Sequence, residues 1–183
     1  MNPDIYYFNP TCEPAIANGS PFYTAPARLR KFEGDVGYLP CWLATESDQV
    51  LVQGTIDKSY PEKMRKLGFK LPEVLGLKQA MEDPGWITQP KGRLYPWGWS
   101  PAVYQLFKQV LPSFRDDFQH SAVSTWHPDH KVLYSRLTGI GLLTKILEMN
   151  NLPWLPLHSD LPVVCRSPGQ VYLETGRHKR LFV

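Results

Sequence analysis

Long hydrophobic runs are missing: none approaches the ~20 apolar residues that a membrane-spanning helix needs. The start, Met1-Asn2-Pro3-Asp4, has neither a basic n-region nor an apolar h-region, so no secretory signal peptide is read there. Charge of one sign is scarce. The balance is +3 with no basic stripe, which argues against nucleic acid as a partner. The three cysteines, Cys12, Cys41 and Cys165, are an odd number, far apart and without a CxxC, as free thiols in a reducing compartment would be. No GxGxxG and no GxxxxGK[ST] occurs, so no phosphate-cradling loop is visible. Internal repeats and low-complexity segments are also lacking. These absences lead to the expectation of a soluble, cytoplasmic domain with no nucleic-acid, membrane or metal partner.

Proline and aromatic residues are abundant. With 18 prolines and 13% aromatics in 183 residues, the chain suits a well-filled core joined by stiff, irregular connections. A domain of this size buries about 70% of its unfolded surface and needs no staple. Ile5 to Phe8 reads as a first strand, buried on both faces and closed by Asn9-Pro10. A loop is expected to follow, through Glu13, Asn18 and Gly19. Thr24 then caps a helix with Pro26 in its first turn and Leu29, Phe32, Val36 and Leu39 on its buried face. Pro40 ends that helix. Cys41 to Ala44 reads as a strand or the helix tail, and Gln49 to Val52 as a strand. Pro61 to Leu67 is a short basic helix closed by Gly68, Pro72 to Met81 a further helix candidate, and Asp83-Pro84-Gly85 a turn.

Trp97-Gly98-Trp99 precedes Ser100-Pro101, an N-cap with proline at the first helical position. Val103, Leu106, Phe107 and Val110 supply the apolar face of the helix that follows. His127-Pro128-Asp129 opens a longer helix to about Met149 with a buried stripe from Leu133 to Leu147. Gly139 and Gly141 inside it suggest a close neighbour. Pro153, Pro156 and Pro162 mark a rigid linker, Val163 to Cys165 a strand, Ser167-Pro168 a helix start, and Arg180 to Val183 a last strand. Taken together the pattern predicts an α/β fold, three-layer and Rossmann-like, with a mostly parallel sheet.

In such sheets ligands bind outside the carboxyl ends of the strands. Asn9, Glu13 and Asn18, in the loop after the first strand, are therefore candidates for binding a polar substrate such as an amino acid or a sugar hydroxyl; residues of these types also simply shape turns. Trp97 and Trp99 are candidates for stacking on a ligand or another chain, or for core packing. His127, Asp129 and His130 resemble a sparse metal cluster, but first-turn helix chemistry explains them without a metal. No catalytic residue can be assigned.

Phe8-Asn9-Pro10 with Glu13 and Ala15-Ile16-Ala17-Asn18-Gly19, then Ala25-Pro26, Leu39-Pro40-Cys41-Trp42 and Pro96-Trp97-Gly98-Trp99, resemble a Bacteroides-type family of ATP-grasp-like proteins. The resemblance implies a pre-ATP-grasp-like domain over residues 1–152, with a proline-rich linker and the first elements of a truncated ATP-grasp region over 153–183. In the family a Ser-His-Arg stretch follows the Trp-Gly-Trp helix. The matching place here is Tyr134-Ser135-Arg136, so only Arg136 carries over as a substrate-binding candidate. The family's next landmark is a lysine-ended strand, and Arg180 to Val183 looks like that strand without its lysine.

The implied function is the N-terminal part of a carboxylate–amine or carboxylate–thiol ligase, contributing to the acceptor site and inactive alone. ATP and magnesium are implied for the full-length protein, not for this portion. The expected partners are a small, amino-acid-like substrate and the missing C-terminal region, with a homodimer left open. Two rival readings remain: a non-enzymatic binding module anchored by Trp97 and Trp99, and a sugar or nucleotide-sugar binding domain.

Overall fold

The computed structural model describes residues 2–149 and 163–177. The chain divides into two compact units, Met1–Pro128 and Asp129–Val183. The expected junction at 152/153, the proline linker and the strand at Arg180 to Val183 lie outside the described residues.

The first unit is built on four parallel strands in the order β3-β2-β1-β4: β1 (Ile5–Tyr7), β2 (Gln49–Val52), β3 (Glu73–Gly76) and β4 (Leu94–Pro96). Helices cover both faces, making the three-layer, Rossmann-like α/β fold that the sequence pattern predicts. Alternation along the strands sorts the two cores. Ile5, Tyr7 and Leu51 enter one core with Trp86, Leu94, Val103 and Phe107. Val50 and Val52 enter the other with Cys41 and Leu71, against which Tyr6 is half-buried. All four residues of β2 are buried, the signature of a central parallel strand.

Between β1 and β2 lie α1 (Cys12–Asn18) and α2 (Ala27–Val36). Helix α1 replaces the expected loop. Pro14 in its first turn costs no hydrogen bond, because that N–H has no helical acceptor, and Gly19 closes the helix at φ +76°. Helix α2 starts from Pro26 with no side-chain cap, so Thr24 does not serve as one. It also turns a different face inward from the one its leucine spacing suggests. Phe32 is 48% and Leu39 51% exposed, whereas Glu33 is buried. The cause is Gly34 and Gly37: a Cβ at Gly37 would stand 3.0 Å from Val52 Cγ1, and one at Gly34 3.2 Å from the Gln53 carbonyl oxygen. The glycine side of α2 therefore lies directly on the end of β2.

Cys41 to Ala44, expected as a strand or the tail of the helix, is neither: α2 ends at Val36, before Pro40, and Leu39–Trp42 forms a separate 3-10 turn. After α3 (Ser59–Lys66), Gly68 adopts φ +91° as a helix-ending glycine. The expected helix from Pro72 to Met81 is instead β3 followed by α4 (Leu77–Glu82). Pairing along β2 outweighs the local helix pattern there, and the paired strand hands over directly to the helix at Gly76. Asp83 is not a simple turn residue: its carboxylate caps α5 (Pro84–Thr88), accepting from Gly85 N at 2.8 Å. Helix α6 (Pro101–Phe107) begins as its sequence predicts, with Ser100 Oγ accepting from Val103 N at 3.2 Å. The short α7 (Asp116–Gln119) follows.

In the second unit the expected single helix is broken into α8 (Asp129–Leu133) and α9 (Arg136–Met149) at Tyr134-Ser135. Its apolar stripe is not buried: Leu133 is 70% and Leu137 60% exposed, Ile140, Leu143 and Leu147 are half-buried, and nothing lies within 4 Å of a Cβ built on Gly139 or Gly141. Helix α10 (Pro168–Arg177) starts behind Ser167, whose Oγ accepts from Gln170 N at 3.2 Å. Val163 to Cys165 is irregular, not a strand. Among the described residues no helix is long and apolar enough to cross a membrane.

Candidate functional site

The sheet order reverses between β1 and β4, so the loops leaving their carboxyl ends diverge. That divergence opens the crevice in which ligands of such sheets bind. Two bonds set its geometry. Trp97 N donates to the Tyr7 carbonyl at 2.9 Å, carrying the β1–β4 ladder one residue past the sheet. Beyond it the buried Asn9 amide clamps the backbone of Gly98: Nδ2 donates to Gly98 O at 2.8 Å, and Gly98 N donates to Oδ1 at 3.2 Å.

The crevice deepens into a cavity of about 540 Å³ whose walls include Tyr7, Thr11, Arg30, Glu33, Gln53 and Ser100. These residues come from the end of β1, from the position just after β2, from the N-caps of α1 and α6, and from α2. Glu33 is 5% exposed and accepts a hydrogen bond from Thr11 Oγ1. The floor is fixed by Gln53 Nε2, which donates to the Tyr7 hydroxyl at 2.5 Å. Arg30 is the cavity's cation, and its guanidinium has no ion pair or hydrogen bond among the described residues.

Burial pushes the Tyr7 phenol well above its ordinary range; the Gln53 hydrogen bond opposes this and the Glu33 charge adds to it. Burial and then the charge of Glu13 raise the Cys12 thiol, with a smaller contribution from Glu33. Both groups are therefore protonated at neutral pH, and neither is set up as a nucleophile or base. The cavity is equipped to hold a polar molecule, with one buried carboxylate and one cation as its charged contacts.

Of the sequence candidates, Asn9 lines this cavity, but its amide is spent on the Gly98 clamp. Glu13 and Asn18 are exposed on the outer side of α1, where Asn18 Oδ1 accepts from Ser20 N at 3.2 Å. Trp97 is 62% exposed and meets Phe8 edge-on at 5.0 Å. Trp99 packs against the first core and lines a different hollow beside Arg93 and Asp117. Arg136 begins α9 in the second unit. Glu33, Arg30 and Gln53 are not picked out by sequence reasoning. Their signal was available in Glu33-Gly34 with Gly37 one turn on, a helical glycine pair beside a carboxylate, which marks close approach to other backbone.

Among the described residues no group of three His, Cys, Asp or Glu could hold a metal ion, His127, Asp129 and His130 included. What fold and site define is a parallel α/β domain with a cavity at the point of strand-order reversal. Comparison with protein-family models, curated proteins and solved structures finds no significant match for the chain.

Proposed function

We propose that the first unit is the acceptor-binding lobe of an ATP-grasp-type carboxylate–amine or carboxylate–thiol ligase, and that its cavity holds a small substrate through an ammonium group. The observation that carries this reading is Glu33: a carboxylate buried beside the strand-reversal crevice, bonded to Thr11 and with no ion pair among the described residues. A buried carboxylate of this kind is costly unless something pairs with it, and a substrate ammonium is the natural partner. The ligase half of the proposal rests on the resemblance of the loop motifs around Asn9 and Trp97. Mg-ATP enters this reading only through the resemblance, which implies it for the full-length protein.

Calorimetric titration of the chain with glycine, ethylamine and acetate tests the reading. The two amines should bind and acetate should not. Glu33→Gln, which keeps the Thr11 hydrogen bond, should weaken amine binding by about tenfold or more while leaving the melting temperature within a few degrees. Equal amine binding by wild type and Glu33→Gln sinks the proposal. A rival reading, a non-enzymatic module docking another chain, is favoured by the exposure of Trp97; Trp97→Ala would then abolish partner capture and leave amine binding untouched.

A further inference from the structure

A second cavity, of about 670 Å³, opens beside the first at the carboxyl end of β2. Arg30 and Gln53 line both, so the two spaces share a wall. Its character is different. Tyr38, Trp42 and Tyr60 line it, and their rings are held in place. The Tyr38 hydroxyl accepts from Asp57 N at 2.7 Å and donates to Asp57 O at 3.0 Å. Tyr60 meets Tyr38 edge-on at 5.9 Å, and Trp42 meets Phe69 edge-on at 5.4 Å. Trp42 and Tyr60 nonetheless remain 48% and 37% exposed, so ring surface is left for a ligand.

The charges at this second cavity offset one another. Lys31 and Asp35 are of opposite sign, and the Asp57 carboxylate is engaged by Ser59 through its N–H at 2.9 Å and its hydroxyl at 2.6 Å. Gly54 at φ +81° turns the chain away from the sheet directly after Gln53, with nothing within 4 Å of a Cβ built on it. The result is an open aromatic recess next to a compartment with one anion and one cation.

Those two charges are Glu33 and Arg30, three residues apart on α2. Side chains at that spacing are neighbours on one face of a helix, with Cβ atoms roughly 5–6 Å apart. They are not paired with each other. An ammonium and a carboxylate borne on a single carbon match that spacing. We propose that the ligand is an α-amino acid with a large aromatic side chain: its ammonium on Glu33, its carboxylate on Arg30, and its ring over the shared wall in the recess of Tyr38, Trp42 and Tyr60. This rests on the reading of the first cavity as the ammonium site and adds the substrate class.

Titrating the 183-residue chain with L-phenylalanine, L-tryptophan, L-alanine, phenethylamine and 3-phenylpropionate tests it. Phenylalanine and tryptophan should bind about tenfold or more tighter than alanine. Arg30→Gln should bring phenylalanine down to the level of phenethylamine and leave phenethylamine unchanged. The double change Trp42→Ala, Tyr60→Ala should bring phenylalanine down to alanine and leave alanine unchanged. Should that double variant fail to fold, the indole N–H resonance of Trp42, assigned by its loss in Trp42→Phe, should still shift in wild type on adding phenylalanine and stay still on adding alanine. Alanine binding as tightly as phenylalanine, or an unmoved Trp42 resonance, overturns the aromatic assignment while Glu33-dependent alanine binding keeps the first cavity as the ammonium site. Binding of no amine or amino acid at millimolar concentration overturns both.

Discussion

Lys91 is almost fully buried and ends among carbonyls. Its ammonium donates to Trp86 O, to Gln89 O at 2.7 Å and to Ile87 O at 3.5 Å, and lies 4.3 Å from the centre of the Trp86 ring. It thereby satisfies the orphan carbonyls at the end of α5. Burial pushes the ammonium down from an ordinary 10.5 to about 8. Between those two values the unfolded chain holds the proton more tightly than the folded one, so stability rises with pH across that window. The contribution is full above pH 10.5 and lost as the pH falls through about 8. The carbonyls and the ring favour the cation and oppose the shift, which limits the effect to at most about 3 kcal/mol. Thermal melts from pH 7.5 to 10.5 should show wild type gaining on Lys91→Met as the pH rises; parallel curves would contradict the assignment.

Asn9 is the other residue whose role is settled by its bonds. Replacing it with leucine leaves both polar groups of the Gly98 backbone buried and unpaired. The expected loss is about 3 kcal/mol in a denaturant titration, since each orphaned group costs about 1–3 kcal/mol. Asn9→Asp should recover only part of that, because it can accept from Gly98 N but no longer donates to Gly98 O.

At the scale of elements, α2 is where glycine decides the site. Gly37→Ala would place a methyl 3.0 Å from Val52 Cγ1 and 3.1 Å from the Glu33 carbonyl. Either the Val52 side chain or the helix must give by a few tenths of an ångström, and an overpacked contact of this kind costs about 1–3 kcal/mol. Because Glu33 and Arg30 ride on the same helix, ligand affinity should fall together with the melting temperature. A variant that melts earlier but binds unchanged would show that α2 does not set the cavity.

The same helix marks the boundary of what sequence alone reveals. Local rules find β1, β2, α3 and α6: β1 and β2 are short apolar runs, α6 buries Val103 and Phe107 one turn apart, and Pro, Gly or Ser mark the ends of the helices. Helix α1 is hidden by Pro10, Pro14 and Pro21, which look like loop punctuation although a proline in a first helical turn is harmless. Strand β3 is hidden because Val74-Leu75 is too short a run to outweigh the helical residues after it; only the pairing with β2 reveals it. The site fares likewise. Asn9 and the Trp97 loop are visible as strand-end loops. Glu33, on what reads as the solvent side of a helix, becomes visible only once Gly34 and Gly37 are seen to press that side onto the sheet.

Among the described residues, both hydrophobic cores draw all their buried residues from the first unit, from Ile5 to Phe118, and meet across β1 and β2. Amide exchange followed by mass spectrometry should therefore find residues 49–52 and 5–7 the slowest to exchange. Peptides from α9, which contributes no buried residue and leaves Leu137 and Leu142 exposed, should exchange faster by orders of magnitude. Comparable protection in α9 would show that its apolar face is covered in solution.

The two ends of the sheet also do different jobs. At the amino end, Asp4 N donates to the Asp48 carboxylate at 3.1 Å, and the Asp4 carboxylate accepts from Arg93 N at 2.7 Å. Gly92 has no room for a methyl there, since a Cβ would collide with that Asp4 carboxylate. Arg30, Trp42 and Tyr60 all stand at the opposite end and carry neither core. A sheet bolted at one edge and furnished at the other is a favourable starting point for divergence: under the proposed ligand assignment, substitutions at Arg30, Trp42 and Tyr60 would redirect which molecule is chosen while the fold beneath them persists.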